Sequence, residues 1–290
     1  MEKQLAFLGL GVMGTPLAIN LARQGHPLKV WNRTANKPSL AAVEAAGGQY
    51  QATIREAIAE AEIIFTCLGD VPDGEEVLFG AEGVIHHARA HSLIVDFSTI
   101  GRIAAQRWAQ TLSEKRLRFL DAPVSGGDVG AWQGTLTIMV GGEEADLQRA
   151  QPYLQSLGKN IVHCGPVGSG QAVKLCNQVL VALNMMGLCE AITLAQQQGI
   201  EPALMLEVCA TGAAGSWALT HLGPKIVAAD LEPGFMVRHL LKDLRLVQES
   251  LTKDLPGVSL AQQQFQRLSQ LPEGDRQGTQ ALIRCYDPLE

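Results

Sequence analysis

Short apolar runs alternate with amphipathic stretches along the first half of the chain. Leu5–Leu8, Leu28–Trp31, Ile63–Leu68, Leu93–Phe97 and Leu117–Asp121 are brief, near-continuous and rich in Val, Ile, Leu or Phe. Helical spacing separates most of them, for example over Thr15–Arg23, Lys37–Ala46 and Thr53–Ala61. Strands of that kind, apolar on both faces and joined by helices, predict an α/β fold built on a parallel sheet. Two further β-like runs, Thr135–Val140 and Asn160–His163, flank a helix predicted over Glu143–Leu157. After Gly165 the texture changes. Residues 169–198 carry no Pro, and Val173, Leu180, Leu183, Ala191 and Leu194 mark several faces, which predicts a helix buried all round. Helical periodicity continues through Pro202–Cys209, Met236–Leu251 and Val258–Leu268, with no strand signal beyond His163. The expected division is an α/β domain over residues 1–164 and an all-α domain over 165–290.

Composition narrows the function classes. Of 290 residues, 47% are hydrophobic and 18% charged, which excludes intrinsic disorder. A net charge of −6 gives no basic footprint for nucleic acid or anionic membrane. Uninterrupted apolar runs stop short of the roughly 18–20 residues of a membrane span, so no membrane partner is expected. The N-terminal MEKQLAFLGLGVMG leads straight into a strand, and no cleavable leader is expected. Six cysteines (67, 164, 176, 189, 209 and 285) lie in apolar contexts without C-x-x-C, as buried thiols of a cytoplasmic protein would. The seven histidines form no H-x-x-H or H-E-x-x-H arrangement, and no metal set is expected.

Candidate chemistry begins at Gly9-Leu10-Gly11-Val12-Met13-Gly14, a G-x-G-x-x-G directly after a strand and opening a helix. Gly9 permits the tight turn, Gly11 lets backbone approach a pyrophosphate, and Gly14 allows close packing of helix on strand. The second strand ends in Asn32-Arg33-Thr34, where an NAD enzyme usually places an acidic residue against the ribose 2′-hydroxyl. A neutral Asn32 followed by cationic Arg33, with Thr34 and Lys37 nearby, favours the 2′-phosphate of NADP. NAD is the second choice. Ser125-Gly126-Gly127, after a strand, offers a hydroxyl and unobstructed N–H groups suited to a small carboxylate, or simply a glycine-rich turn. Lys174 lies one turn into an otherwise apolar helix, with Asn177 and Gln178 at i+3 and i+4. A buried lysine is costly unless paired or used, and desolvation lowers its pKa toward a usable proton donor. In isolation Lys242-Asp243 reads as a solvated polar break in a helix, and Trp217 and Phe235 as packing residues.

Taken together, these segments resemble the β-hydroxyacid dehydrogenases, a family that includes 3-hydroxyisobutyrate dehydrogenase and the tartronate, glyoxylate and succinic semialdehyde reductases. GLGVMG is similar to the family's cofactor loop, Asp121-Ala-Pro-Val-Ser-Gly-Gly127 to its substrate signature, and Gly168 to Gln178 to its catalytic segment. The resemblance makes Lys174 the catalytic lysine and Asn177 its polar neighbour. It puts Ser125, Gly126, Gly127 and Gln178 on the substrate, and Cys67, Leu68, Thr99, Phe235 and Lys242 on the cofactor. Gly69 stands where many members have Pro, Gln178 where many have Asn, and the tail Ile283–Glu290 matches nothing in the family. The fold implied is a Rossmann-type N-terminal domain with an all-α C-terminal domain and an active site between them. The activity implied is NADPH-dependent reduction of a short aldehyde-acid by a homo-oligomer, dimer or tetramer. NAD-linked oxidation of 3-hydroxyisobutyrate is the nearest alternative. Imine reductases generally lack the lysine, and a non-catalytic dinucleotide-binding protein would not need it.

Overall fold

The computed structural model describes residues 3–35 and 37–286. Masses of contact divide the chain into two units, Met1–Lys174 and Leu175–Glu290. In the first unit, β1 (Leu5–Leu8), α1 (Gly14–Arg23), β2 (Leu28–Trp31), α2 (Pro38–Ala45), β3 (Gln49–Tyr50), α3 (Ile54–Ile58), β4 (Ile63–Thr66), α4 (Val71–Phe79), α5 (Val84–His87) and β5 (Leu93–Asp96) come first. They are followed by α6 (Arg102–Glu114), β6 (Arg118–Asp121), β7 (Val124–Ser125), α7 (Gly127–Gln133), β8 (Leu136–Gly141), α8 (Glu144–Leu154) and β9 (Gly158–Gly165). The sheet order is β3-β2-β1-β4-β5-β6-β8-β7, with β9 paired to β8.

From β3 to β6 every pairing is parallel, with Leu5 opposite both Leu28 and Ile63, and Ile63 opposite Leu93. The chain reverses beyond β6, since β8 runs antiparallel to β6 and β7. Alternate residues of β1 divide between two cores: Leu5 and Phe7 pack with α1, α7 and α8, whereas Ala6 and Leu8 pack with α3 and α6. Burial on both faces is what the near-continuous apolar runs require, and the Rossmann-type sheet follows from it. Its strand order reverses at β1, so the carboxyl ends of β1 and β4 open a crevice where a ligand is expected to lie.

Helix α9 (Ser169–Gln197) crosses from the first unit into the second along the chain. The second unit continues with α10 (Pro202–Ala210), α11 (Trp217–His221), α12 (Gly223–Val227), α13 (Val237–Ser250), α14 (Pro256–Ser269) and a 3₁₀ segment, Thr279–Cys285. Helices α13 and α14 pack together, and each buries an i, i+3/i+4 stripe: Leu240, Leu244 and Val247 on α13, and Val258, Ala261, Phe265 and Leu268 on α14. Among the described residues no strand follows β9; Met236 and Gly278 form an isolated bridge. The end of the tail, 287–290, lies outside the described residues.

Three expectations change here. Helix α9 is not buried all round: Ala182, Met185, Leu188, Cys189, Ile192 and Ala195 are buried, but Val173, Leu180 and Leu194 are 44%, 60% and 58% exposed. By length and composition this helix is also apolar enough to cross a membrane, although its apolar runs are short. Lys174 and Glu190 interrupt those runs without offsetting 29 mostly apolar residues, and a core helix has the same composition. Cys176, finally, is exposed on the same helix, whereas Cys189 and Cys285 are buried thiols.

Candidate functional site

The glycine loop is shaped by steric necessity. Gly9 adopts φ +100°, and a Cβ there would fall 2.4 Å from the Cys67 carbonyl oxygen. A Cβ on Gly14 would lie 2.0 Å from the Gly9 carbonyl oxygen and 3.2 Å from the Phe7 ring, so the start of α1 packs on the loop and β1 alike. Around Gly11 a Cβ would meet nothing within 4 Å, and Gly11 and Val12 are exposed. Leu10 is buried, Met13 is half-buried, and no side chain caps α1. Exposed backbone at an uncapped helix start suits the pyrophosphate of a dinucleotide.

Asn32 is buried and ties the second strand to this loop. Its Oδ1 accepts from Leu10 N at 2.9 Å and its Nδ2 donates to the Thr34 carbonyl at 2.8 Å. Arg33, Thr34 and Lys37 are exposed. Arg33 already has partners: Nη1 lies 2.7 Å from Asp73 Oδ1 and 3.7 Å from Glu76 Oε2. The Asp73 hydrogen bond and charge push the guanidinium's pKa further up.

A second layer lies at the carboxyl ends of β4 and β5. Thr66 and Ser98 hydroxyls each donate to Asp96 Oδ1 at 2.7 Å, and Leu68 N donates to Ser98 Oγ at 2.8 Å. Cys67, Leu68 and Thr99 are half-buried at these strand ends. Asp96 is fully buried, its Oδ2 has no hydrogen-bond partner, and burial pushes its pKa up to about 6 against the bonds from Ser98 and Thr66. Because the folded-state pKa exceeds the ordinary 3.8, Asp96 favours folding below that value, and this contribution is lost as pH rises through about 6. The span corresponds to roughly 3 kcal/mol. Urea unfolding between pH 4 and 7 should show wild type losing stability relative to Asp96→Asn by a sizeable part of that amount. Parallel pH profiles for the two proteins would contradict it.

Asp121 and Gln171 fix the start of α9. Asp121 is fully buried, and its two carboxylate oxygens accept from Gly168 N at 2.7 Å and Gln171 N at 2.8 Å. Burial raises its pKa while those N–H bonds oppose the rise. The Gln171 side chain, also fully buried, accepts from Ile100 N and Gly101 N at 2.9 and 3.0 Å and donates to the Ser98 carbonyl at 2.8 Å. One helical turn short of completion later comes Lys174, 7% exposed. Ser125 pairs with Thr137 in β8, and Gly126 and Gly127 turn the chain into α7 with φ of +136° and +65°. A Cβ on Gly127 would meet nothing within 4 Å, leaving that backbone open.

In the second unit, Asn177 Nδ2 donates to Gln178 Oε1 at 2.9 Å, and Gln178 Nε2 donates to Asp243 Oδ2. Lys242 Nζ lies 2.8 Å from Asp243 Oδ1. Asp243 is 2% exposed and α13 is continuous from Val237 to Ser250, so the expected solvated break is instead a buried polar chain. It survives inside the helix because Gln178 and Lys242 serve the carboxylate. Phe235 is half-buried, its ring 6.1 Å from that of His239. Burial, with Arg238 and Lys242 nearby, lowers the His239 pKa. Trp217 is not a packing residue: it is 58% exposed and stacks on His221 with ring centres 4.5 Å apart.

Residues 4–165 match the NAD binding domain of 6-phosphogluconate dehydrogenase, and residues 168–286 the NAD-binding region of NADP-dependent 3-hydroxyisobutyrate dehydrogenase. The chain is 52% identical over 284 residues to an uncharacterised oxidoreductase of Synechocystis, covering 98% of each. It is 40% identical over 265 residues to 2-hydroxy-3-oxopropionate reductase of Escherichia coli, covering 90% of each. The structure of Mycobacterium tuberculosis 3-hydroxyisobutyrate dehydrogenase with L-serine superposes with a TM-score of 0.89 at 31% identity, over 99% of both chains. The chain belongs to the β-hydroxyacid dehydrogenase family, and is an NAD(P)-dependent oxidoreductase that acts on hydroxyl groups.

Proposed function

We propose that this enzyme is an NADPH-preferring reductase of a short aldehyde-acid of the glyoxylate or succinic semialdehyde class, reversible and able to use NADH less well. The observation that carries the reading is Lys174, an ammonium-bearing side chain 7% exposed on a helix whose first turn is fixed by two buried polar groups. A lysine buried to that degree is unusual, and its place in the first turns of α9 suits a proton donor.

The proposed roles follow from chemistry. The bound cofactor supplies the hydride. Ser125 and the open amides of Gly126 and Gly127 hold the substrate carboxylate. Lys174 stabilises negative charge on the carbonyl oxygen and gives it a proton, Asn177 orients the lysine or the substrate, and Gln178 offers a second amide. Gly9 to Gly14 cradle the pyrophosphate, and Asn32, Arg33, Thr34 and Lys37 form the adenosine end. Cys67, Leu68, Thr99, Phe235 and Lys242 are assigned to the rest of the cofactor by family resemblance. Functionally the chain divides into a cofactor domain, 1–164, and a substrate and assembly domain, 165–290. The apolar side chains exposed on α9 favour a homo-oligomer, and a cytoplasmic location goes with the free thiols.

NAD-linked oxidation of a 3-hydroxy acid or serine is the second reading, favoured by the carboxylates that already engage Arg33. Initial rates with NADPH and NADH against glyoxylate, succinic, tartronate and methylmalonate semialdehydes separate the two. Fast NADPH turnover of one small semialdehyde is expected. Faster oxidation of 3-hydroxyisobutyrate or serine with NAD would replace this reading by the second.

A further inference from the structure

The Arg33 ion pair is built into the loop that follows β4. Asp73 has both carboxylate oxygens engaged: Oδ2 accepts from Asp70 N at 3.2 Å as part of a capping box on α4, and Oδ1 holds Arg33 Nη1 at 2.7 Å. Room for that carboxylate comes from Gly69, where a Cβ would fall 2.6 Å from Asp73 Oδ2. Gly69 is not in the left-handed region, so its small size, rather than its backbone freedom, is what the arrangement uses. Glu76, one turn further along α4, adds a second carboxylate at 3.7 Å. Around the guanidinium the formal charge thus sums to −1.

We propose that Asp73, seated by Gly69, and Glu76 are specificity-determining residues that hold down the enzyme's preference for NADPH over NADH. The inference rests on the assignment of Arg33 to the ribose 2′ position. A 2′-phosphate carries nearly two negative charges and must share Arg33 with these carboxylates, whereas a 2′-hydroxyl carries none. In a watery setting the nearer carboxylate, Asp73, weakens phosphate binding by about five-fold, and the more distant Glu76 by less. The opposing effect is that Asp73 holds Arg33 ready for the ligand. That gain is small, because the Arg33 side chain is 65% exposed and surface pairs restrain it weakly. Repulsion therefore wins.

The test is calorimetric binding of NADPH and of NADH to the full chain. Asp73→Asn keeps an amide oxygen for the α4 cap and removes the charge. It should tighten NADPH about five-fold relative to NADH, with a smaller change for Glu76→Gln. Gly69→Ala should act in the same direction by displacing the Asp73 carboxylate. The differences should shrink at high salt, as exposed charge effects do. An unchanged or reduced NADPH preference in Asp73→Asn, with Arg33→Ala still lowering that preference in the parent, overturns the role of the carboxylates alone. If Arg33→Ala leaves the preference untouched, the assignment of Arg33 fails, and this inference with it.

Discussion

Replacing Lys174 by Ala lowers the turnover number by about 10²–10⁴, the usual worth of a positioned proton donor. NADPH affinity stays within a few-fold of wild type, because the glycine loop and Asn32 that shape the cofactor end lie elsewhere in the chain. The separation of the two effects is the informative part. A lysine that merely filled space would alter melting temperature and little else. Lys174 is 7% exposed, so truncation also removes a buried aliphatic stem. Lys174→Met retains most of that stem and should be as slow as Ala while recovering the melting temperature. Stopped-flow hydride transfer and nucleotide titration, read together on both variants, decide the matter. Turnover near wild type in Lys174→Met would remove the lysine from the mechanism.

Asp121→Ala should destabilise the chain by about 3–5 kcal/mol, the scale for removing one member of a buried, charge-assisted network. Two N–H groups at the start of α9, those of Gly168 and Gln171, lose their acceptor at a helix start, where the first N–H groups have no carbonyl of the preceding turn to bond. Water is poorly admitted there: a Cβ on Gly170 would fall 2.3 Å from the Met139 carbonyl oxygen, and one on Gly141 would fall 2.5 Å from Asp121 Oδ1. Asp121→Asn keeps one acceptor oxygen and turns an amide group toward an N–H, so an intermediate loss is expected. Urea denaturation at neutral pH measures both. A loss below about 1 kcal/mol in the Ala variant would mean that α9 is seated without this carboxylate.

Much of the architecture was legible because buried parallel strands advertise themselves. The runs Leu5–Leu8 and Leu28–Trp31 coincide with β1 and β2 as they stand, and Leu117–Asp121 starts one residue before β6. The two-residue strands β3 and β7 were not legible, since Gln49–Tyr50 and Val124–Ser125 are too short to show any period. Asp70 and Pro72 did carry a signal for α4, an acidic N-cap followed by proline within the first turn, which the apolar pattern alone passes over. Gly9 and Gly14 were readable because each answers a local steric demand, whereas the backbone at Gly11 faces open space.

What joins that loop to the rest was not readable. Asp121 reaches Gly168 and Gln171 across 47 and 50 residues, and Arg33 reaches Asp73 across 40. Such pairs are chosen by the fold and leave no mark at any fixed spacing. Nothing in the sequence singles out Gln171, whose amide bonds three backbone groups. Asp243 misled in the opposite sense: a charged pair within a helix is ordinarily solvated, and its burial here is served by Lys242 beside it and by Gln178, 65 residues away.

The Gln171 side chain has a consequence for cooperativity. Ile100 N and Gly101 N lie beyond the last residue of β5 and before α6, so neither sheet nor helix protects them; a side-chain amide does. That amide in turn sits on the first turn of α9, whose own N–H is held by Asp121. Opening either segment exposes buried partners on the other, so the 98–101 loop and the head of α9 unfold as one local unit or not at all. The half-buried Thr99 at the loop and the buried Lys174 on the helix then share one opening equilibrium, although 75 positions separate them in the chain.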